Sequence, residues 1–270
     1  HTRRAFLLEV FVLFNVAFLI LDVYLAHAVN EFAHWGEWVP IYFAAAGTLA
    51  LAVAVYQEWK YQNERSRWLG DLVGWGAIAV GLLGMVWHLE AWFLEAVTIR
   101  SLVYSAPIVA PLAFAGLGFL LLMNRRVARA SVEWGQWVVF FAWGGFVGNF
   151  ALSLIDHAQN GFFYWTEWIP VIVSAFAVGY LLALIVQPAS DFFLKLGYAV
   201  MGLQVLTGVL GFILHIWPLW TATSETFFQD MVYGAPVFAP LLFADLALLG
   251  ALGVWDLQAK SAPHAMAGVG

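Results

Sequence analysis

The chain has 270 residues, 63% of them hydrophobic and only 10% charged, with a formal net charge of −6. Soluble domains carry about 25% charged residues, so this composition points to a membrane-embedded chain and argues against a nucleic-acid partner. Cysteine is absent, which excludes disulfides, thiolate metal sites and cysteine nucleophiles.

A helix needs about 20 apolar residues to cross roughly 30 Å of hydrocarbon. Runs of that kind occur in chain order at 5–27, 39–58, 71–92, 103–123, 135–156, 169–187, 194–216 and 233–255. The predicted fold class is therefore all-α and polytopic, with eight transmembrane helices. The first run lacks a small-residue cleavage site, so no cleavable signal peptide is expected. His1 reads as the point where a longer chain was trimmed, in preference to a copper ligand. Pro40, Pro107, Pro170 and Pro236 fall in the first turns of the even-numbered spans, where a missing N–H costs nothing. Glu37 and Glu167 lie just ahead of such turns, where a carboxylate suits the helix dipole. Residues 261–270 are small and polar and read as a disordered tail.

The spans fall into two halves that match each other. His27, Asn30, Trp35, Glu37 and Pro40 return without a gap as His157, Asn160, Trp165, Glu167 and Pro170, 130 positions later. Gly81-x-x-Gly84-x-x-x-His88 returns as Gly208-x-x-Gly211-x-x-x-His215, at an offset of 127. Tyr104-x-Ala-Pro107-x-x-Ala-Pro111 returns as Tyr233-x-Ala-Pro236-x-x-Ala-Pro240, at an offset of 129. The same order at nearly constant spacing indicates an internal duplication. It predicts two tandem four-helix repeats, 1–130 and 131–260, related by a pseudo-two-fold axis along the membrane normal.

Basic residues set the expected orientation. Of the Lys and Arg residues, only Arg100 falls on the side of the membrane opposite the rest. Arg3, Arg4, Lys60, Arg65, Arg67, Arg125, Arg126, Arg129, Lys195 and Lys260 share one side. The positive-inside rule puts that side and both termini in the cytoplasm of a multi-pass cell-membrane protein, read as bacterial inner membrane. Glu31, Glu37, Glu90, Glu95, Asp156, Glu167, Glu225 and Asp230 mark the other side.

His27, His88, His157 and His215 then end the odd-numbered spans near the outer interface. Glu37 and Glu167 open neighbouring spans at that level, and Tyr104 and Tyr233 open the fourth and eighth. One imidazole or carboxylate at an interface is most often a solvated or capping group. Matched retention in both halves points instead to function, because polar groups near hydrocarbon are costly. Imidazole with carboxylate and no thiolate suits a transition metal such as iron, copper or zinc. The expected metal ligands are His27, His88, His157, His215, Glu37 and Glu167, in one outward-facing site built by both repeats. Asp22 is the expected outer partner of His27. Asp245, halfway along the eighth span, reads as a proton-path residue or a buried, protonated carboxyl. Such a protein would be an oxidoreductase or a subunit of one.

Two other readings use the same residues. The His set could hold haem b axially in an electron-transfer subunit, with quinone or other membrane subunits as partners and Tyr104 and Tyr233 lining the cofactor or quinone pocket. The Gly81-x-x-Gly84 and Gly208-x-x-Gly211 faces could admit a macrocycle, but close helix packing explains them better. The third reading is a non-redox binding, transport or structural subunit. Walker, dinucleotide, Ser-His-Asp and kinase signatures are absent.

Overall fold

The computed structural model describes residues 3–61, 67–187, 189–221 and 226–266, with only the backbone for 262–266. His1, Arg65, Glu225 and tail residues 267–270 lie outside the described residues. The helices are α1 (Arg3–Ala28), α2 (Val39–Tyr61), α3 (Arg67–His88), α4 (Ile99–Tyr104), α5 (Leu112–Arg126), α6 (Val132–Gln159), α7 (Trp168–Val186), α8 (Asp191–Thr221), α9 (Phe227–Tyr233) and α10 (Leu241–Met266). No strand occurs among the described residues. Seven helical segments are long and apolar enough to cross a membrane. The chain is an all-helical, multi-pass membrane protein in a lipid bilayer.

The fourth expected span differs most. The run 103–123 is not one helix: α4 ends at Tyr104, a turn follows, and α5 begins only at Leu112. At 15 residues and 1.5 Å per residue, α5 is roughly 22 Å long. The eighth run behaves alike, with α9 ending at Tyr233 and α10 beginning at Leu241. The cause is the Pro-x-x-x-Pro spacing, since each proline lacks an N–H and disfavours helix in the residue before it. Pro107 and Pro236 therefore sit in turns, not in first helical turns. Tyr104 and Tyr233 close short helices instead of opening spans. Asp245 lies one turn inside α10, not halfway along a span. The last helix reaches Met266, inside the stretch read as tail.

Packing divides the chain into two units, Arg3–Arg126 with Ile213–Ala239 and Val127–Phe212 with Pro240–Gly270. In the first, α1 buries Ala5, Leu8, Val12 and Val16, an apolar stripe at helical spacing. Glycines let α3 and α5 meet backbone to backbone. A Cβ on Gly81 would lie 2.6 Å from the Ala115 nitrogen and 2.8 Å from the Pro111 carbonyl. One end of this unit is held by charge. The Arg125 guanidinium, 2% exposed, sits 3.3 Å from Glu9 of α1 and 3.7 Å from Glu58 of α2. It also donates to the Arg67 carbonyl of α3 at 3.1 Å. The starts of α1 and α3 and the ends of α2 and α5 therefore lie at this end. The ends of α1 and α3, with His27 and His88, lie at the other.

The second unit is held by other chemistry. At one end Lys260 of α10 donates to the Arg129 and Ser131 carbonyls, at 3.1 and 2.6 Å, and pairs with Asp256. Tyr180 of α7 donates to the Phe193 carbonyl of α8 at 2.9 Å. Gly253 brings α10 onto α6, where an added Cβ would meet Val139 at 2.8 Å.

Candidate functional site

The matched segment after α1 folds as a tight loop. Glu31 and Phe32 take φ of 56° and 54°, the left-handed region that side chains rarely adopt. Two contacts hold them there. Phe32 stacks on Trp38, ring centroids 4.2 Å apart, and the Asn30 amide donates to Glu37 Oε1 at 2.9 Å. The segment after α6 folds the same way. Gly161 and Phe162 have φ of 71° and 55°, Phe162 stacks on Trp168 at 3.9 Å, and Asn160 donates to Glu167 Oε1 at 3.0 Å. In both loops the second carboxylate oxygen, Oε2 of Glu37 and of Glu167, is buried without a hydrogen-bond partner. A buried, unsatisfied carboxylate oxygen is costly.

The four matched imidazoles follow one rule. His27 Nδ1 lies 3.0 Å from the Val23 carbonyl and His157 Nδ1 lies 2.7 Å from the Ser153 carbonyl, each one turn back in its own helix. His88 Nδ1 lies 2.9 Å from the Pro107 carbonyl and His215 Nδ1 lies 2.8 Å from the Pro236 carbonyl. A carbonyl only accepts, so each Nδ1 carries the proton and donates. In the neutral ring the lone pair is then on Nε2, the tautomer that a bonded Nδ1–H fixes for metal ligation. The prolines matter twice here. They break the helix, and the carbonyl of Pro107 or Pro236 in that break receives the imidazole.

The first unit brings His27 and His88 together, with ring centroids 6.2 Å apart and planes at 80°. His27 and Glu37 are both close enough to His88 for their charges to act on it. A five-residue π-turn, Leu89–Phe93, follows His88 directly; such turns are frequent at functional sites. His157 and Glu167 lie in the second unit, where His157 packs against Phe162 at 6.2 Å. Tyr104 and Tyr233 are exposed, at 56% and 62%. Asp22 does not hold His27 Nδ1, because the Val23 carbonyl one turn back takes that bond. The glycine faces are filled by the turns before α5 and α10: Gly84 lies against Pro111 and Gly211 against Pro240, where an added Cβ would come within 2.9 and 2.7 Å. That packing leaves no flat approach for a macrocycle there.

Among the described residues, no group of three or more His, Asp or Glu side chains is gathered closely enough to hold a metal ion. His27 and His88 lie side by side, with Glu37 within electrostatic range of His88. Sequence reasoning passed over Asn30 and Asn160 as functional. Their signal was present, since they match at the same offset as the His and Glu they serve. Compared with known proteins, the chain matches no protein-family model, no curated protein and no solved structure.

Proposed function

We propose that this chain is a membrane metalloprotein in which His27 and His88 bind a transition metal ion through Nε2, with Glu37 as the carboxylate ligand. The observation that carries the reading is the shared fixing of the imidazoles. Each has Nδ1 tied to a backbone carbonyl, which presents Nε2 as a ligand. Glu37 adds an oxygen already buried and unpartnered. Nitrogen and carboxylate donors without sulfur suit iron, copper or zinc, and such a centre fits an oxidoreductase or a subunit of one. The finer membrane reading belongs to the same proposal. The turn 105–111 with α5 completes an eighth crossing, since irregular backbone is tolerated at membrane depth when protein covers it. The halves are tandem repeats in parallel orientation, both termini are cytoplasmic, and His27 and His88 face outward across a bacterial inner membrane.

The test is metal analysis of the purified protein beside its absorption spectrum. Bound transition metal without a Soret band supports the reading. His88→Gln should remove the metal while keeping a donor for the Pro107 carbonyl, so the fold survives. A second reading has one observation in its favour: two neighbouring imidazoles with near-perpendicular planes can serve as an axial pair for haem b, with quinone as electron partner. A Soret band lost in the same variant would select it. A sample with neither metal nor chromophore would leave a non-redox binding, transport or structural subunit.

A further inference from the structure

The two halves differ in their interiors in a consistent way. At the offset of 130, Asn149, Ser153 and Ser174 stand where the first half has Leu19, Val23 and Ala44. At 127, Gln204 and Thr207 stand where it has Ala77 and Val80. At 129, Asp245 stands where it has Gly116. All the polar members belong to the second packing unit. Asp245 is half-buried and the other five are buried. Gln204 and Ser174 are 0% exposed, Asn149 4%, Thr207 6% and Ser153 8%. Asn149 and Ser153 continue the buried stripe of α6, and Ser174 lies on that of α7. The first half has half-buried polar side chains of its own, Asn15 and Thr48, the latter with Oγ1 also buried without a partner, but at other positions.

The arrangement runs inward from His157. Its ring bonds the Ser153 carbonyl one turn deeper, and Asn149 lies one turn deeper again. On α7, the Ser174 hydroxyl donates to the Pro170 carbonyl one turn nearer the loop, at 2.6 Å. The Gln204 amide donates to the neighbouring Val173 carbonyl at 2.9 Å, which ties α8 to that level. Asp245 precedes Leu246, whose side chain abuts Gly145, one turn below Asn149. Two atoms in this set are buried without a partner: Asn149 Nδ2, a donor, and Gln204 Oε1, an acceptor. Each costs free energy if left dry, and a buried polar group of this kind in a native protein ordinarily has ordered water.

We propose that the second unit holds buried water, bound through Asn149 Nδ2 and Gln204 Oε1, which hydrates its interior from the His157 end to the level of Asp245. Water alone is small enough for a tightly packed helix interior, and it offers the acceptor that Asn149 needs and the donor that Gln204 needs. The first unit offers no polar side chain at these positions, where Ala44 and Ala77 are buried and Leu19, Val23 and Val80 half-buried. The inference is independent of metal binding.

The chain contains no cysteine, so one introduced thiol reports its own surroundings. The experiment places Ser153→Cys, Ser174→Cys and Thr207→Cys in the reconstituted protein beside Ala44→Cys, the match of Ser174→Cys. Conversion of S–H to S–D after transfer to heavy water is followed by infrared absorption. These near-isosteric changes keep the fold, and unfolding temperature verifies it. Each second-half thiol should exchange at least about tenfold faster than Ala44→Cys, the first-half site that is fully buried, as expected of a hydrated against a closed interior. Rates equal to that of Ala44→Cys would overturn the proposal. Adding Asn149→Leu and Gln204→Ala to Ser153→Cys should slow its exchange to the rate of Ala44→Cys. Fast exchange that persists in that variant would equally overturn it, because the water would then not be held by these amides.

Discussion

The two halves agree at one end and diverge at the other. After α1 and α6, Asn holds Glu at 2.9 and 3.0 Å, and Phe stacks on Trp at 4.2 and 3.9 Å. His88 and His215 meet proline carbonyls at 2.9 and 2.8 Å. At the opposite end, the first half closes on Arg125 buried between Glu9 and Glu58. The second half uses Lys260, Asp256 and two carbonyls. Holding helix ends together can be done in many ways, so the two locks need not match. The His/Glu end kept its residue types, its backbone conformation and its distances, which points to a chemical constraint beyond packing.

The sharpest contrast is between the locks. Arg125→Met leaves Glu9 buried without its cation, and breaking a buried pair in this way costs about 3–5 kcal/mol. Unfolding in detergent should show a loss of that size. Lys260→Met should cost clearly less, because the Lys260 side chain is 16% exposed and water can reach the site. Equal losses would erase the distinction.

The agreement at the other end is tested by glycine. Gly81→Ala forces a Cβ onto the Ala115 nitrogen and Pro111 carbonyl, whereas at Gly208 the nearest atoms, the Pro240 carbonyl and Ala244 nitrogen, lie at 2.9 and 3.1 Å. Overpacking of this kind costs about 1–3 kcal/mol. Both variants should be destabilised, Gly81→Ala more so. A neutral Gly81→Ala would mean that α3 and α5 do not pack this closely.

A smaller effect separates chemistry from packing. Asn30→Ala frees Glu37 Oε1 on a loop that aromatic stacking still holds. Loss of an outer partner of a ligand typically costs about 10–100-fold in metal affinity. Titration of the metal-free variant should show a drop in that range, with little change in unfolding temperature. Unchanged affinity would remove Glu37 from the ligand set.

Much of this was legible in the sequence, and the gaps have physical causes. Apolar run length gave seven of the crossings, because helices in lipid must satisfy their own backbone. Run length could not show that Pro107 and Pro111 break the fourth run, since proline hardly alters mean hydropathy. The matched His and Glu located the loops, but they placed four imidazoles in one layer without singling out the His27–His88 pair. Their tautomer was not legible, because it depends on carbonyls released by the proline break and by the turn below each ring. Arg125 was read as a marker of sidedness, and charge counting is blind to its burial. The polar interior of the second half was missed for a different reason. It appears in the positions where the halves disagree, whereas the repeat was built from those where they agree.

The central claim is that His27 and His88 are metal ligands. Metal content of the wild-type protein, compared with His27→Ala and His88→Gln prepared alongside, tests it most directly. The account predicts bound transition metal in the wild type, its loss in both variants, and unfolding temperatures that show the His88→Gln protein still folded. A metal-free wild type, or metal retained in both variants, would contradict it.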